Sequence, residues 1–579
     1  MSDPVTLYGT AHRPPAAQQI TLGDLSFTLQ DGALRHIRKG GTEMLRAISF
    51  LVRDRDWGTL VPEFTEISRH HDGDFRLSAR AVYTSGGATL AIDLEIMADD
   101  QGLRVSASGA PDQPFQTNRT GFTILHPAHL AGSPVVVGHG DEADESAIFP
   151  VEIDPWQPFM NITSLTHDYG GLRVRCAMQG DTFEMEDQRQ WGDASYKTYN
   201  RPLALPWPFH LEAGAVFSQS VHLTWQPVET APVTQAADLP EGVTFPETAI
   251  VLTAEDARQL ANRPKDIAKV APQRLLCHID GALGETQAQI AAFGALQQAL
   301  PDLTYDAELI CAFDDPPEAE LARLRRECDG AGFRTDSVLV CPSVDRQSTP
   351  PGSDWPACPR LEDIHTAAAR AFSDVTRGGG MVSFFPELNR KRPPLENLGF
   401  VSHGLCPIIH AADDLSVMET LQTIPHITRS ARAIIKDREY RIGPATIAMR
   451  QNPYGTRTIP NPDGQRLCMS DDDPRHRALF GAAYVIGLAT ALAGAGITVW
   501  TPAALYGPRG LEGPITQAIA ALARCAGQPV HEARIHNGLA TLVVGGNRFQ
   551  ANLTATPLGD LGPYEWRRSV AEPFQVLAR

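Results

Sequence analysis

Hydrophobic and polar residues alternate with a period of two along much of the first 235 residues. Runs such as RLSARAVYT, ATLAIDLEIMAD and GLRVRCAMQG show this alternation, and Gly, Asp and Asn turns separate them at short intervals. Alternation of this kind places apolar side chains on one face of a strand and polar side chains on the other. Helical periodicity is almost absent here. The pattern predicts an antiparallel β-sandwich domain over residues 1–235.

The pattern changes at about residue 265, where short apolar runs begin to alternate with helical stretches. Strands that are apolar throughout, each followed by a helix, are typical of a parallel sheet covered on both faces. Seven or eight such units in about 240 residues favour a (β/α)₈ barrel over residues 265–507. The predicted strands are 274–280, 307–313, 337–342, 381–389, 400–410, 445–453 and 497–504.

The last 72 residues, 508–579, contain ARIHNGLATLVVGG and RFQANLTA, which predict a small β appendage that packs on the barrel. The glycine run at 378–381 precedes a predicted strand instead of following one. It is therefore a turn and not the phosphate-binding loop of a dinucleotide site.

Charge and cysteine content narrow the class of protein. The formal net charge is -18, with 42% hydrophobic and 20% charged residues. A chain this acidic is a poor partner for nucleic acid or anionic membranes, which bind through Lys and Arg. We see no secretory signal, and no apolar run approaches the ~18 residues that a membrane-spanning helix needs. Nine scattered cysteines without a CxxC pair predict reduced thiols and a cytoplasmic enzyme. A homo-oligomer is compatible with these features.

Polar residues follow several of the predicted barrel strands, where barrel enzymes place their catalytic groups. Glu387 is the sharpest candidate, because a carboxyl group on a Phe-Phe-Pro stem suits an acid or base in a partly apolar pocket. Three of the others have a structural alternative: Asp414 as part of a helix cap, His278 as a hydrogen-bonded lining residue and Arg450 as an ion-pair partner. The remaining candidates at the strand ends are Asp280, Asn389, Arg390, His410, Asn452 and Tyr454.

A second polar cluster lies in the first domain, in FEMEDQRQWGDASYKTYNRPLALPWPF, residues 183–209. Glu184 and Glu186 share one face of a predicted strand, and Asp187 points to the other. The aromatic content and the proline-rich exit predict a shaped loop that docks on the barrel mouth. The site candidates from this segment are Glu184, Glu186, Asp187, Arg189, Trp191 and Lys197.

The 183–209 segment strongly resembles the signature of bacterial D-apionate lactonases. NRTGFTILHP (118–127), FPVEIDPWQPF (149–159), FFPELNRKRPP (384–394), CPIIHAADDLSVMETL (406–421) and IAMRQNPYG (447–455) are similar to the same family in the same order. The resemblance implies hydrolysis of D-apionolactone to D-apionate in apiose catabolism, with a small sugar lactone as partner. It implies no metal and no organic cofactor.

Lactone hydrolysis needs a base for water, stabilisation of an oxyanion and a proton for the leaving ring oxygen. We expect Glu387, or Glu186 paired with it, to move the protons, in an order that the sequence leaves open. Lys197, Arg189 or Arg450 would stabilise the oxyanion. Sugar hydroxyls would be bound by Asn389, Asn452, Asp414 and His410. Trp191 or Trp207 would stack on the apolar face of the sugar.

Two other functions are compatible with the same elements. A retaining glycosidase would use two carboxylates at the mouth of the same architecture, but the late strand 497–507 ends without the carboxylate needed as nucleophile. A non-catalytic carbohydrate-binding protein would not need acid, base and guanidinium groups after several strands. No GxSxG, HxH or HExxH motif appears, which disfavours serine and zinc chemistry.

Overall fold

A computed structural model describes residues 3–55, 57–229, 239–349, 352–455 and 457–571. The chain divides into two compact units. The sandwich unit comprises the described residues of Pro15–Arg189 and Ala194–Ala236. The barrel unit comprises those of Met1–Pro14, Gln190–Asp193 and Ala237–Arg579.

The sandwich unit is built from antiparallel sheets, as the alternation predicted. The barrel unit's N-terminal helix α1 (Pro4–Tyr8) comes before it in the chain. The strands of the sandwich unit are β1 (Gln18–Leu22), β2 (Leu25–Gln30), β3 (Ala33–Lys39), β4 (Thr42–Arg53), β5 (Glu63–Asp72), β6 (Asp74–Ser85), β7 (Ala88–Ala98), β8 (Gly102–Pro111), β9 (Phe115–Thr117), β10 (Arg119–Pro127), β11 (Pro134–Gly138), β12 (Glu145–Ile148), β13 (Ser164–Tyr169), β14 (Leu172–Gln179), β15 (Phe183–Glu186), β16 (Ser195–Asn200), β17 (Phe209–Leu211) and β18 (Phe217–Pro227).

Two large sheets form the layers of this unit. One has the order β1-β2-β3-β4-β10-β16-β15, the other β12-β11-β13-β14-β18-β8-β7-β6-β5, and β17 pairs with β9 in a short ribbon. Side chains from the two sheets interdigitate between them: Phe27 of β2 meets Phe75 of β6 edge-on, with ring centroids 5.6 Å apart. Burial alternates along β7, so one face of that strand packs into the core and the other faces outward.

The barrel unit contains a closed barrel of eight parallel strands. They are β19 (Glu247–Leu252), β20 (Arg274–Asp280), β21 (Thr304–Cys311), β22 (Ser337–Pro342), β23 (Thr376–Phe384), β24 (Phe400–Leu405), β25 (Glu439–Ala445) and β26 (Ile497–Ala504). The accompanying helices are α2 (Ala254–Asn262), α3 (Lys265–Ala268), α4 (Thr286–Ala299), α5 (Pro317–Ala331), α6 (Leu361–Ala371), α7 (Phe385–Lys391), α8 (Asp414–Glu419), α9 (Ile424–Ile435), α10 (Leu479–Leu492) and α11 (Pro514–Ala523).

The structure of the barrel corrects three of the element boundaries that were predicted from the sequence. Its first strand, β19, lies before the predicted start at residue 265, because a six-residue apolar run followed by a polar helix gave too weak a signal. The predicted strand 381–389 is the end of β23 followed by α7, which begins at the Phe-Pro step. The predicted strand 445–453 is the loop after β25.

Strand β25 escaped prediction because charged residues interrupt its apolar pattern. Arg441 donates from Nη1 to Ser337 Oγ at 2.8 Å and from Nε to Glu439 at 2.8 Å. It also lies 3.5 Å from Asp306 of β21, which Arg274 contacts at 3.2 Å. Charges that face the barrel interior are tolerated because they are paired there.

The C-terminal residues form the predicted small antiparallel sheet. Its strands are β27 (Val530–His536), β28 (Leu539–Val544), β29 (Asn547–Asn552) and β30 (Trp566–Val570), in that order. Helix α10, which is apolar on nearly every side, packs against β27, β28 and β29. Helix α11 precedes the sheet, so the predicted boundary at residue 508 falls before the last barrel helix. Within the described ranges, no helix is both long and apolar enough to cross a membrane.

Three histidines buried in the sandwich unit make its stability depend on pH. Burial lowers the pKa of His126 and of His129 to about 3, and that of His167 to about 4. The unfolded chain therefore binds protons first as the pH falls below about 6.5. The stability that these three neutral imidazoles contribute is fully present above about pH 6.5. It is lost as the pH falls through their lowered pKa values of about 4 and about 3.

We predict that the urea midpoint of the sandwich unit falls steeply between pH 7.5 and pH 5.5. Each neutral imidazole contributes up to about 1.4 kcal/mol per pH unit below 6.5. Replacing His126→Gln reduces this slope, whereas replacing the exposed His70→Gln leaves it unchanged. Equal slopes in the wild type and in the His126 variant would refute the explanation.

Candidate active site

The carboxyl ends of the eight parallel strands form one rim of the barrel, which we call the mouth. Loops that follow β20, β22, β24 and β25, together with α7 after β23, place polar side chains there. Residues 190–193, although they lie between β15 and β16 in the chain, group with the barrel unit. The mouth is therefore where the sequence candidates of this unit meet.

A charged triad inside the barrel forms the floor of the mouth. Glu308 of β21 lies opposite His278 of β20, and its Oε1 is 2.6 Å from His278 Nδ1. Arg450 binds the same carboxylate through both Nη atoms, at 2.8 and 3.2 Å, and donates to the Val382 carbonyl at 2.8 Å. Burial alone would raise the pKa of Glu308, but the charge of Arg450 and the bond to His278 lower it to about 2. Glu308 therefore holds both Arg450 and His278, as the structural alternatives for these two residues describe.

Glu387 lies in the first turn of α7 with its side chain buried. Its Oε1 accepts three hydrogen bonds, from Ser348 Oγ at 2.9 Å, Thr349 N at 3.2 Å and Arg390 Nη1 at 3.0 Å. Its Oε2 is also buried, and no described residue bonds to it. Burial raises the pKa of Glu387, and the charge of Arg390 with the three hydrogen bonds offsets part of that rise. The arrangement favours a carboxyl group that holds a proton on Oε2.

A histidine–carboxylate pair stands beside this group. His410 Nδ1 is 2.7 Å from Asp193 Oδ2, and the Tyr454 hydroxyl is 3.5 Å from His410 Nε2. The Trp191 ring packs against both partners, with centroids 5.7 Å from His410 and 5.3 Å from Tyr454. Arg390 lies 5.9 Å from the Trp191 ring centroid, which connects this pair to Glu387.

Two further ion pairs line the same side of the barrel. Arg346, in the turn after β22, donates to Asp280 Oδ2 at 2.6 Å. Lys391 at the end of α7 contacts Asp345, whose backbone carbonyl accepts from Ser383. Asp280 also accepts from the Ala282 amide at 3.0 Å and so caps the turn after β20. Asp280 is therefore held in place from two sides.

Asp414 lies in a network of arginines that fixes the loops of this unit. It accepts from Arg466 at 2.8 and 2.9 Å and from Arg475 at 2.9 Å. Arg475 is fully buried and also pairs with Asp473. The neighbouring Asp413 caps α8 by accepting from the Ser416 amide. These contacts favour a structural role for Asp414 over the predicted contact with a sugar hydroxyl.

The two asparagine candidates differ in their surroundings. Asn389 is buried in α7. Asn452 shapes the loop after β25: its side-chain oxygen accepts from the Tyr454 amide at 2.8 Å and its amide donates to the Arg457 carbonyl at 3.0 Å. Asn452 therefore helps to set where Tyr454 stands.

In the sandwich unit, paired strands bring together a second cluster of candidates. Glu184 accepts from the Tyr199 hydroxyl at 2.6 Å and from the Leu203 amide at 2.9 Å. Glu186 and Lys197 are opposite each other on β15 and β16 and form an ion pair. Burial lowers the pKa of Lys197, and the charge of Glu186 opposes that shift. Arg119 stacks on the Tyr199 ring at 3.8 Å and completes the cluster.

Asp187 and Arg189 bind each other in the interior of the sandwich unit. Both side chains have 0% exposure, and their closest charged atoms are 2.6 Å apart. Asp187 also accepts from the Asp154 amide, and Arg189 donates to the Pro150 carbonyl at 2.8 Å. Breaking such a pair would leave a buried charge without compensation. The contacts support a structural role in shaping the 183–209 segment.

Three charged residues of the mouth are not among the site residues predicted from the sequence. Glu308 lies in the middle of strand β21, whereas the predicted site residues follow the ends of strands. Asp193 is one of many charged residues in the 183–209 segment and is not among the predicted site residues. Arg346 lies in a turn without a motif. Among the residues that the structure describes, no group of three or more His, Cys, Asp or Glu side chains could hold a metal ion.

Two family models match this chain, one in each of the two units. Residues 5–228 match the family model described as D-apionate lactonase, N-terminal domain, and residues 248–533 match D-apionate lactonase, TIM barrel domain. The D-apionate lactonase of Brucella anthropi is 43% identical over 522 residues, which cover 88% of this chain and 86% of that protein. The chain belongs to the D-apionate lactonase family. Family membership confirms the resemblance that the sequence motifs carried.

Solved structures resemble this lactonase-family chain only distantly. The α-N-acetylgalactosaminidase NagBb from Bifidobacterium bifidum is 10% identical and covers 95% of this chain and 99% of its own, with a TM-score of 0.29. The α-galactosidase AgaB from Geobacillus stearothermophilus is 8% identical and covers 93% and 91%, with a TM-score of 0.27. Scores this low carry no argument about fold or function.

We predict that Asp414→Asn acts on stability and not on catalysis. Loss of the carboxylate leaves Arg466 and the buried Arg475 short of a partner, which costs about 1–3 kcal/mol in the free energy of unfolding. Urea denaturation followed by tryptophan fluorescence measures this loss, and steady-state kinetics on the folded enzyme checks KM. A raised KM with unchanged stability would instead make Asp414 a substrate contact.

Proposed function

We propose that this chain opens D-apionolactone with water to give D-apionate, a carboxylic-ester hydrolysis in the catabolism of the branched sugar apiose. The family to which it belongs and the 43% identical relative named a D-apionate lactonase support the reaction. The grouping of acidic, basic and guanidinium side chains at the barrel mouth supplies the chemical means.

The observation that carries a mechanism is the asymmetry of the Glu387 carboxyl group. Three donors fix Oε1, while Oε2 is buried without a bonding partner among the described residues. A buried polar atom left unpaired is costly, so its partner is expected to be a proton that is passed to a ligand. We assign Glu387 as the acid that protonates the ring oxygen as the C–O bond of the lactone breaks.

Stabilisation of the tetrahedral oxyanion requires a cation or a preorganised donor. Arg390, fixed between Glu387 and the Trp191 ring, is the nearest cation to the proposed acid. Arg450 supports the floor of the mouth and is held by Glu308. Trp191 and Tyr454 offer aromatic surface for the sugar, with His278, Asp280, Asn389 and Asn452 as its proposed polar contacts.

Glu186 and Lys197 stay in the proposal as a second proton-carrying pair. Their side chains keep 21% and 12% exposure, so a small ligand can reach both. Burial also lowers the pKa of Lys197, which makes its amine easier to deprotonate than an exposed lysine. Glu184 and its Tyr199 partner hold this pair in place. Glu186→Gln and Lys197→Met, assayed beside Glu387→Gln, decide whether the second pair takes part.

We infer a cytoplasmic enzyme that acts on a small sugar lactone. No disulfide joins the nine cysteines, and seven of them are buried, which suits a reducing compartment. We further propose that neither metal nor organic cofactor takes part. Hydrolysis measured by pH-stat is therefore expected to be unchanged after exhaustive treatment with EDTA, and a loss that Zn²⁺ or Mg²⁺ restores would contradict this.

We predict that Glu387→Gln lowers kcat on D-apionolactone by about 10²–10⁴-fold. Glutamine keeps the shape but cannot donate the proton. Because the acid form of Glu387 is the active one, wild-type kcat falls as the pH rises through its raised pKa, and this alkaline limb disappears in the variant. Rates are measured by pH-stat with the uncatalysed hydrolysis subtracted.

Glu320→Gln is the matched control for this experiment. Glu320 is another buried carboxyl group of the barrel unit whose pKa burial raises, but its two oxygens accept from the amides of Ala312 and Phe313. We expect near-normal kcat for this variant. Equal kcat values for the Glu387 variant and the wild type would refute the assignment, and release of aryl groups from glycosides without lactone turnover would move the chain to the glycosidases.

A further inference from the structure

We propose that His410 is the base that activates water in this site and that Asp193 positions it. The inference rests on the proposed lactone hydrolysis, and it adds a second proton-transfer group to the acid assigned above. The sequence had placed His410 among the groups that bind sugar hydroxyls and had given Asp193 no role.

The geometry of the pair fixes which nitrogen can act. Asp193 Oδ2 lies 2.7 Å from His410 Nδ1, so Nδ1 donates its hydrogen to the carboxylate. In a neutral imidazole the other nitrogen, Nε2, is then the acceptor. Both side chains keep a little exposure, 15% for His410 and 19% for Asp193, so a ligand can reach them.

Two loops far apart in the chain build this pair. His410 follows strand β24, at the carboxyl end where barrel enzymes place catalytic groups. Asp193 comes from residues 190–193, which enter the barrel unit between two strands of the sandwich unit. Gly192 makes the approach with φ +98°, a conformation that residues with a side chain rarely adopt. The insertion therefore delivers a carboxylate to a histidine 217 positions away.

Neighbouring rings and charges hold the imidazole at a fixed angle. The Trp191 ring meets His410 at 76° and packs on Tyr454. The Tyr454 hydroxyl is 3.5 Å from Nε2, too far for a strong hydrogen bond, so it provides a polar neighbour for a water bound at Nε2. The titratable or charged groups that face the pair from adjacent segments are Asp193 itself, Tyr454 and, across Trp191, Arg390.

Other histidines of the barrel unit are less suited to this task. His403 is fully buried, and its Nε2 is occupied by the Tyr440 hydroxyl at 2.7 Å. His278 also faces a carboxylate, that of Glu308, but Arg450 binds the same carboxylate with both Nη atoms and neutralises it. No described cation binds Asp193 in a comparable bidentate manner. Its charge is therefore directed at the imidazole.

Proton transfer in the proposed reaction begins at His410 Nε2. Nε2 removes a proton from water while the water oxygen forms a bond to the lactone carbonyl carbon. The tetrahedral intermediate collapses, the bond between that carbon and the ring oxygen breaks, and Glu387 protonates the departing oxygen. The imidazolium then passes its proton to the Glu387 carboxylate, directly or through solvent, which restores both groups to their starting protonation states. The product carboxylic acid ionises, so one proton is released per turnover.

The test compares His410→Asn, Asp193→Asn and Asp193→Glu on D-apionolactone across a range of pH. We expect His410→Asn to lower kcat/KM by about 10²–10⁴-fold. Asp193→Asn lowers it by a smaller factor, because it misorients the imidazole without removing it. Asp193→Glu restores part of that loss. Addition of imidazole restores activity to His410→Ala, which a structural role would not allow.

The pH dependence of kcat/KM at low pH is the second measurement. The fall in wild-type kcat/KM at low pH reports protonation of the base, so this limb is expected to shift in Asp193→Asn and to vanish in His410→Asn. His70→Asn and Asp74→Asn are the matched controls, since they break an exposed His–Asp pair with atoms 3.1 Å apart in the β5–β6 hairpin. Both controls should keep wild-type kinetics.

The inference is overturned if folded His410→Asn keeps kcat/KM within about threefold of the wild type, a change of under 1 kcal/mol. It is also overturned if the acid limb survives in that variant and vanishes in His278→Asn. If His410→Asn does not fold, the same comparison of kcat/KM and of the acid limb is made with Asp193→Asn. If the wild-type enzyme does not hydrolyse the lactone, the proposed function itself is refuted. If the wild type is active and the His410 variant is equally active, only the role of His410 as the base is refuted.

Discussion

The closure of eight parallel strands into one barrel is the constraint on which the rest of the structure depends. Closure brings all eight carboxyl ends to a single rim, so loops from distant parts of the chain meet there. Glu308 and Arg450 are 142 positions apart and still form a bidentate pair. The barrel interior must be filled, and the charged groups that enter it are tolerated because each one has a partner.

Pairing of charges also separates structural groups from candidate catalytic groups. Asp414, Asp187 and Arg189 are saturated by oppositely charged partners and buried away from solvent. Glu387 accepts its three hydrogen bonds on one oxygen, and Asp193 orients His410 through Nδ1. A group that is oriented through one atom can transfer a proton at another without the loss of its supporting bonds. This contrast recurs across the barrel mouth.

Residues 190–193 contribute side chains to the candidate site, although their neighbours in the chain belong to the sandwich unit. The flanking strands β15 and β16 belong to the sandwich unit, yet these four residues group with the barrel. Trp191 and Asp193 thereby lie against His410 and Tyr454. Within the 183–209 segment, these four residues are the part that belongs to the barrel unit.

Local pattern determined a large part of this protein. A period of two indicated the sandwich, apolar runs followed by helices indicated the barrel, and the motifs indicated the family, since each depends on neighbouring residues alone. The sequence also predicts Glu387 as a candidate acid or base, from its place near the end of an apolar run. Strand β19 and the charged strand β25 were not predicted, because their apolar signal is short or interrupted. Only the tertiary structure decided the partners, such as Asp193 with His410 and Glu308 with Arg450. Partner choice follows from barrel closure, which brings together side chains that no local periodicity relates.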